Sequence, residues 1–239
     1  MLRENRYKDA DKILTVLTAD RGKLTVKGRG ALRKGSRLGA AGQALCYSEL
    51  TLFGNRGRWT ADEGSTLEQF LGLREDIARL ALGTYLAELL DTVCPEEVPA
   101  AAALQLGLNA LYALSRGLYS PEHIKAVFEL RLMCLEGFRP ETGGCAVCGT
   151  GHMAEPMFSP DSGMLHCRDC GGAVSGGALP LDEGSLAALR YIVSAPAKRE
   201  FSFSLEPEAE QRLSRVCESF VLCQLDRRFS SLEYWKSVK

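Results

Sequence analysis

The chain has 239 residues, of which 46 % are hydrophobic and 25 % charged, enough apolar material for a true core, which excludes a predominantly disordered polymer. Its apolar residues come in interrupted runs, short of the roughly 18 to 20 needed to cross a bilayer, and the opening MLRENRYKDADK puts charges where a secretory leader needs an apolar stretch, so the expectation is a cytoplasmic chain with no membrane partner. The formal net charge of -1 conceals a strong asymmetry: residues 1–58 carry +8 and the remaining 181 carry -9, the pattern of a basic module that meets a polyanion joined to an acidic body.

In chain order, β structure comes first. Lys12 to Thr18, Lys23 to Lys27, Ala44 to Phe53 and the short Gly57 to Thr60 read as strands, with a hairpin-like turn ending at Gly22. A small antiparallel sheet or barrel is the economical arrangement. Between Arg21 and Arg37 stand seven cations and no acid, and Gly28 to Gly42 contains five glycines, which predicts a mobile, backbone-exposed loop suited to phosphate contact.

Helical periodicity follows. Ser65 and Glu68 have capping-box spacing and lead into a long apolar-periodic stretch that Pro95 ends. A second helix is expected over about Ala100 to Ser115. A third starts with Ser120 as N-cap and Pro121 at its first position, and these three are expected to form a bundle. After an interruption from Arg139 to Pro180, helical patterns resume over about Asp182 to Ser194 and Glu206 to Arg228. The domain reading is therefore 1–62 basic β module, 63–140 first helical part, 141–178 inserted module and 179–239 second helical part.

The insert carries the most specific chemistry. Cys145-Ala-Val-Cys148-Gly149 and Cys167-Arg-Asp-Cys170-Gly171 are two Cys-x-x-Cys-Gly units whose cysteine pairs are separated by the 18 residues from Gly149 to His166, the spacing of a structural four-cysteine zinc site. Two intervening residues let a tight turn aim both sulfurs at one metal, and the following glycine relieves that turn. One structural zinc ion is expected, with His152 or His166 as an alternative fourth ligand. A thioredoxin-type redox pair would need a helix start in a βαβ setting, which the flanking Gly143, Gly144, Gly171 and Gly172 do not supply. Cys46, Cys94, Cys134, Cys217 and Cys223 read as small buried hydrophobes. No phosphate loop, dinucleotide fingerprint or nucleophile elbow is present, so the expectation is a protein that is not an enzyme.

A basic β module, then a helical body interrupted by a four-cysteine insert, resembles the RecO family of DNA repair and recombination mediator proteins. Tyr7-Lys-Asp-Ala-Asp11-Lys12, Leu17-Thr18, Gly22, Lys27-Gly28, Gly30 through Leu38, Phe128 through Leu132 and Gly137-Phe138-Arg139-Pro140 carry the resemblance, which spans nearly the whole chain. It implies an α+β protein: an N-terminal OB-fold β-barrel, then an α-helical domain with the zinc module inserted. Only Met1-Leu2-Arg3 precedes the Tyr7 region, so most of the first barrel strand is expected to be missing. Arg21 stands where the family usually has His, and Arg29 extends the basic element by one residue.

The same resemblance implies binding of single- and double-stranded DNA, strand annealing, association with RecR, and loading of the recombinase RecA onto DNA coated by the single-stranded DNA-binding protein SSB, in the cytoplasm at the nucleoid. Lys23, Lys27, Arg29, Arg33, Lys34 and Arg37 are assigned to DNA, with Arg56 and Arg58 as further candidates. Tyr7, Tyr47 and Trp59 are stacking platforms or core. For the acidic SSB tail, which combines carboxylates with an apolar end, Arg131 beside Phe128 and Leu132 is the candidate; the same arginine also fits a solvated helix face. A zinc-ribbon adaptor that binds RNA or protein partners is the alternative reading.

Overall fold

Alternating burial builds the first sheet of the computed structural model, which describes residues 1–171 and 177–239. Strands β1 (Arg3–Tyr7), β2 (Asp11–Thr18), β3 (Gly22–Gly28), β4 (Tyr47–Asn55) and β5 (Arg58–Glu68) lie in the order β1-β2-β3-β5-β4. All pairs are antiparallel except β3 with β5. Leu14, Val16, Leu24, Val26 and Ala61 point to one side and form a core with Ala31 and Leu38. That period-2 pattern fixes the register, because a one-residue slip would turn the whole apolar set toward water.

Two expectations for this sheet are corrected. The first strand is present, as β1, paired with β2 from Arg3↔Thr15 to Tyr7↔Asp11. No closed barrel forms among the described residues: β1 and β4 remain sheet edges, because five-residue β1 meets the approach to β4 chiefly at Met1, whose carbonyl accepts the Leu45 N–H at 2.9 Å. Arg3, Glu4 and Arg6 charge the β1 edge and oppose edge-to-edge association.

The Gly-rich segment after β3 is also more ordered than its composition predicts. It is a chain of hydrogen-bonded turns, Leu32 to Ala10, Arg33 to Gly30, Ser36 to Arg33 and Gly42 to Leu38, with Leu38 wholly buried in the core. Glycine is required at Gly30, where the backbone turns to φ 62° and its N–H donates to Asp11 Oδ1 at 2.8 Å.

The expected helix from Ser65 is a further correction. Residues 65–68 continue β5, whose partner β4 holds Tyr47 opposite Glu68; a short 3-10 turn follows at Leu71–Leu73, and α1 spans Ile77–Val93 with Asp76 accepting from the Ala78 and Arg79 amides. Helix α2 (Ala101–Arg116) follows as expected. These elements form one compact unit, Met1–Leu118, together with Phe229–Lys239. The latter segment holds α7 (Ser230–Val238), which returns to α1: Phe229 meets Tyr85 edge-on at 5.6 Å between ring centroids, and Trp235 is buried.

The second unit is Tyr119–Arg228. It contains α3 (Pro121–Leu135), capped by Ser120 as expected, α5 (Glu183–Ser194), capped by Asp182, and α6 (Pro207–Gln224). The three-helix bundle expected of α1 to α3 is therefore not formed, since α3 packs against α5 and α6. Between α3 and α5 come β6 (Glu141–Cys145), β7 (Met157–Ser159), β8 (Met164–His166), the one-turn α4 (Arg168–Gly171) and β9 (Leu179–Pro180), in sheet order β6-β8-β7-β9. Gly172, part of the expected insert, lies outside the described residues.

At the centre of this unit sits an ionic cluster. Lys125 is fully buried, with Nζ 3.1 Å from Glu129 and 3.0 Å from Glu218, and it donates to both the carbonyl and the hydroxyl of Ser214. Burial alone would pull its pKa down; the two carboxylates more than offset this and raise it above the ordinary lysine value. Lys125→Ala would take the central cation away from buried Glu129 and half-buried Glu218, so urea denaturation should show a loss of about 3 to 5 kcal/mol; an unaltered midpoint would contradict this account of the cluster.

Candidate nucleic-acid interface and metal centre

The fold sorts the N-terminal cations into two classes. Lys12 pairs with Glu4, Lys23 with Asp91 at 3.4 Å, Lys27 with Asp11 at 3.0 Å and Arg37 with Glu63 at 2.9 Å. Of the six residues assigned to DNA, Lys23 is the one the structure withdraws: its side chain is 15 % exposed and donates to the Asp91 carbonyl as well as pairing with its carboxylate. Lys27 and Arg37 keep some exposure but share their charge. Arg29, Arg33 and Lys34 are exposed and in no ion pair among the described residues, and so are Arg56 and Arg58.

Asp11 organises this region. Its carboxylate accepts the Gly30 amide and pairs with Lys27; the amide first, then the lysine, hold it below the usual carboxylate range. The same acid therefore pins the start of the turn segment that displays Arg29, Arg33 and Lys34.

Strand register then places an aromatic beside the free arginines. On β4 and β5, Phe53 lies opposite Thr60 and Asn55 opposite Arg58, and since alternate residues share a face, Phe53, Asn55, Arg58 and Thr60 share the outer surface while Leu52, Trp59 and Ala61 turn to the core; Asp62, at a register shift of the pair, lines the same surface. Arg29 joins this surface because its N–H donates to the Ala61 carbonyl at 2.7 Å. The result is an open groove of about 460 Å³ lined by Arg29, Phe53, Asn55, Arg58, Thr60 and Asp62. The Phe53 ring, 55 % exposed, is a flat apolar platform among polar neighbours.

Sequence motifs alone do not single out Phe53. The signal is the alternation Leu50, Leu52 against Thr51, Phe53, Asn55, which assigns Phe53 to the wet face once the register is known. Of the three aromatics expected as stacking platforms or core, Tyr7 and Tyr47 are exposed, and Tyr7 lies 5.4 Å from the ammonium groups of both Lys8 and Lys27. Trp59 packs on the core, with the Arg21 guanidinium 5.7 Å from its ring.

In the second unit, the four cysteine sulfurs of Cys145, Cys148, Cys167 and Cys170 lie within 4.8 Å of one another. Cys148 Sγ and Cys167 Sγ are 3.8 Å apart, close to the edge of about 3.8 Å that follows for a tetrahedron with metal–sulfur bonds of about 2.3 Å. The first knuckle is shaped for thiolate: the amides of Cys148, Cys167 and Val147 donate to Cys145 and bring its thiol down to about 6. Gly149 takes φ 74° at the turn, as its place after the second cysteine predicts. Cys170 is pushed up to about 12, first by its hydrogen bond with Cys167, as expected when four sulfurs share one small space. The donor set fits a metal ion, and neither His152 nor His166 belongs to it.

The insert is fastened at both ends to the helices of its own unit. Arg190 of α5 donates to the carbonyls of Thr142, Gly143 and Gly151. Gln224, at the end of α6, donates to those of Pro160 and Asp161, and Phe158 meets Phe220 edge-on at 5.6 Å. Of the other cysteines, Cys46, Cys94 and Cys217 are buried as expected, whereas Cys134 is half-buried and Cys223 is exposed.

The pair assigned to an acidic tail is corrected. Phe128 and Leu132 are wholly buried, and Arg131 faces inward, donating to the carbonyls of Ile192 and Val193 and lying 3.6 Å from Glu200. Helix α3 is enclosed on nearly all sides, so it presents neither an open groove nor a solvated arginine here.

No helix among the described residues is long and apolar enough to cross a membrane. The family model described as Recombination protein O N terminal matches residues 1–70, and that described as Recombination protein O C terminal matches residues 74–233. The chain is 32 % identical over 238 residues to the DNA repair protein RecO of Acetivibrio thermocellus, covering 100 % of this chain and 94 % of that protein. Its counterpart in Symbiobacterium thermophilum is 31 % identical over 242 residues, covering 100 % and 95 %. That of Alkaliphilus metalliredigens is 28 % identical over 239 residues, covering 100 % and 97 %.

Proposed function

The chain belongs to the recombination protein O family of DNA repair proteins, and on that premise we propose that it is a non-catalytic mediator which binds DNA through its first unit and brings complementary strands together. The observation that carries this is the set of exposed cations Arg29, Arg33, Lys34, Arg56 and Arg58, in no ion pair among the described residues, of which Arg29 and Arg58 line the sheet face that bears Phe53. Cations track the phosphates and the aromatic stacks a base, the two components by which single strands are held. The strand order, with its parallel β3–β5 pair, supports an OB-type sheet used in its open form. Double strands are held by the same cations through phosphate alone.

The four cysteines hold one zinc ion with a structural role, since four thiolates close the coordination shell. RecR and the SSB-coated filament on which RecA is loaded are the partners that the family implies, in the cytoplasm and at the nucleoid. The Phe128–Arg131 site is not part of this proposal. Annealing of complementary oligonucleotides coated with SSB should be faster with the protein than without it. Replacing Arg29, Arg33, Lys34 and Arg58 together by Ala should abolish the gain; equal rates with and without the unaltered protein would overturn the mediator reading.

A further inference from the structure

We infer that the groove on the β4–β5 face holds one unpaired base and reads its Watson–Crick edge through Asp62, favouring guanine and disfavouring thymine. The inference rests on the DNA-binding reading above and goes beyond it, because phosphate contact and stacking by themselves do not distinguish bases. A groove built only to follow phosphates has no use for a carboxylate, yet Asp62 lines this one, exposed and in no ion pair among the described residues. The β4–β5 register shifts between Leu50↔Gly64 and Leu52↔Ala61, so alternation alone does not place Asp62; it lines the same groove as Phe53 and Thr60, which puts carboxylate and ring on one surface.

The cations nearby set where the backbone runs. Arg29 and Arg58 line the same groove and take the phosphates on either side, which leaves the base to lie against Phe53 with its edge toward Asp62 and Asn55. Guanine offers N1–H and N2–H side by side, the donor pair that a carboxylate accepts with both oxygens. Adenine and cytosine offer an amino group beside a ring acceptor. Thymine offers one N–H between two carbonyl oxygens, which a carboxylate repels. In a duplex those donors are consumed by pairing, so Asp62 adds only repulsion there. The groove thus favours single strands over double strands by its own chemistry.

Fluorescence anisotropy on the intact protein tests this with a short alternating guanine–thymine strand, an all-thymine strand of equal length and a duplex, at one salt concentration. One well-formed bidentate contact corresponds to at least about a fivefold preference for the guanine-containing strand. Asp62→Asn should erase that preference while leaving all-thymine binding equal or tighter, since a negative charge is removed. Phe53→Leu should weaken both single strands by about fivefold or more and leave the duplex unchanged. Equal binding of the two single strands by the unaltered protein, or a preference that survives Asp62→Asn, overturns the inference while the DNA reading stands. Failure to bind any of the three nucleic acids overturns the DNA reading and this inference with it.

Discussion

Stripping the metal with a strong chelator should unfold the cysteine module and leave the first unit intact. The insert has little core of its own: β7 and β8 are three residues each and β9 is two, so the sulfur cluster is its main closure. A structural zinc site supplies on the order of 10 kcal/mol, more than the whole stability of many small domains. The consequence is testable region by region, because the chain's two tryptophans, Trp59 and Trp235, both lie in the first unit. Tryptophan emission should stay unchanged on chelation while amide exchange over about residues 141–171 accelerates by orders of magnitude. Elemental analysis should give one zinc per chain, and Cys167→Ser should reproduce the effect of the chelator. A chain that contains no metal when purified, with slow exchange in the insert, would contradict the zinc assignment.

Removing the free cations should have the second large effect, on affinity in place of stability. Each phosphate neutralised on a single strand contributes about 0.7 to the slope of log affinity against log salt. Replacing Arg29, Arg33, Lys34 and Arg58 by Ala should therefore reduce that slope by about 3 and weaken binding by about 10²- to 10³-fold near 0.1 M salt. These side chains are exposed and outside ion pairs, so the thermal midpoint should hardly move. Lys23→Ala is the contrasting variant: the lysine is paired with Asp91 and mostly covered, and its loss should lower stability with little change in affinity. Were the two variants to exchange phenotypes, the sorting of cations by ion pairing would be wrong.

Much of this arrangement was legible in the residues, and the exceptions have physical causes. The β2–β3 hairpin, the Ser120 cap and the paired Cys-x-x-Cys-Gly turns are local signals, in which the residues that specify the feature also form it. Ser65 to Glu68 carries a local signal that tertiary structure overrides: the same four residues fit a capping box and a strand, and pairing with β4 decides for the strand. Helix α3 misleads for a different reason. Lys125 and Glu129 at i and i+4 look like a solvated face, and Arg131 like an exposed cation, but Lys125 and Arg131 reach Glu218, Ser214, Ile192 and Val193 on or beside other helices and Glu129 is buried against Lys125. Sequence spacing cannot display those partners, which is why Phe128 and Arg131 read as a site for an acidic tail.

The basic segment shows both outcomes. Its charge was evident from composition, and Arg29, Arg33 and Lys34 are displayed as expected. Its order was hidden, because the turns are tied by Leu38 in the core and by Asp11 on the Gly30 amide, two long-range contacts. Phe53 was hidden in the same way: only the β4–β5 register separates it from Leu52, one residue away and facing the core.

The most direct measurement is the affinity of the unaltered protein for an unstructured single strand as a function of salt. If Arg29, Arg33, Lys34, Arg56 and Arg58 engage phosphates together, log affinity should fall against log salt with a slope of about -3 or steeper. A slope near zero, or no measurable binding at low salt, would contradict it.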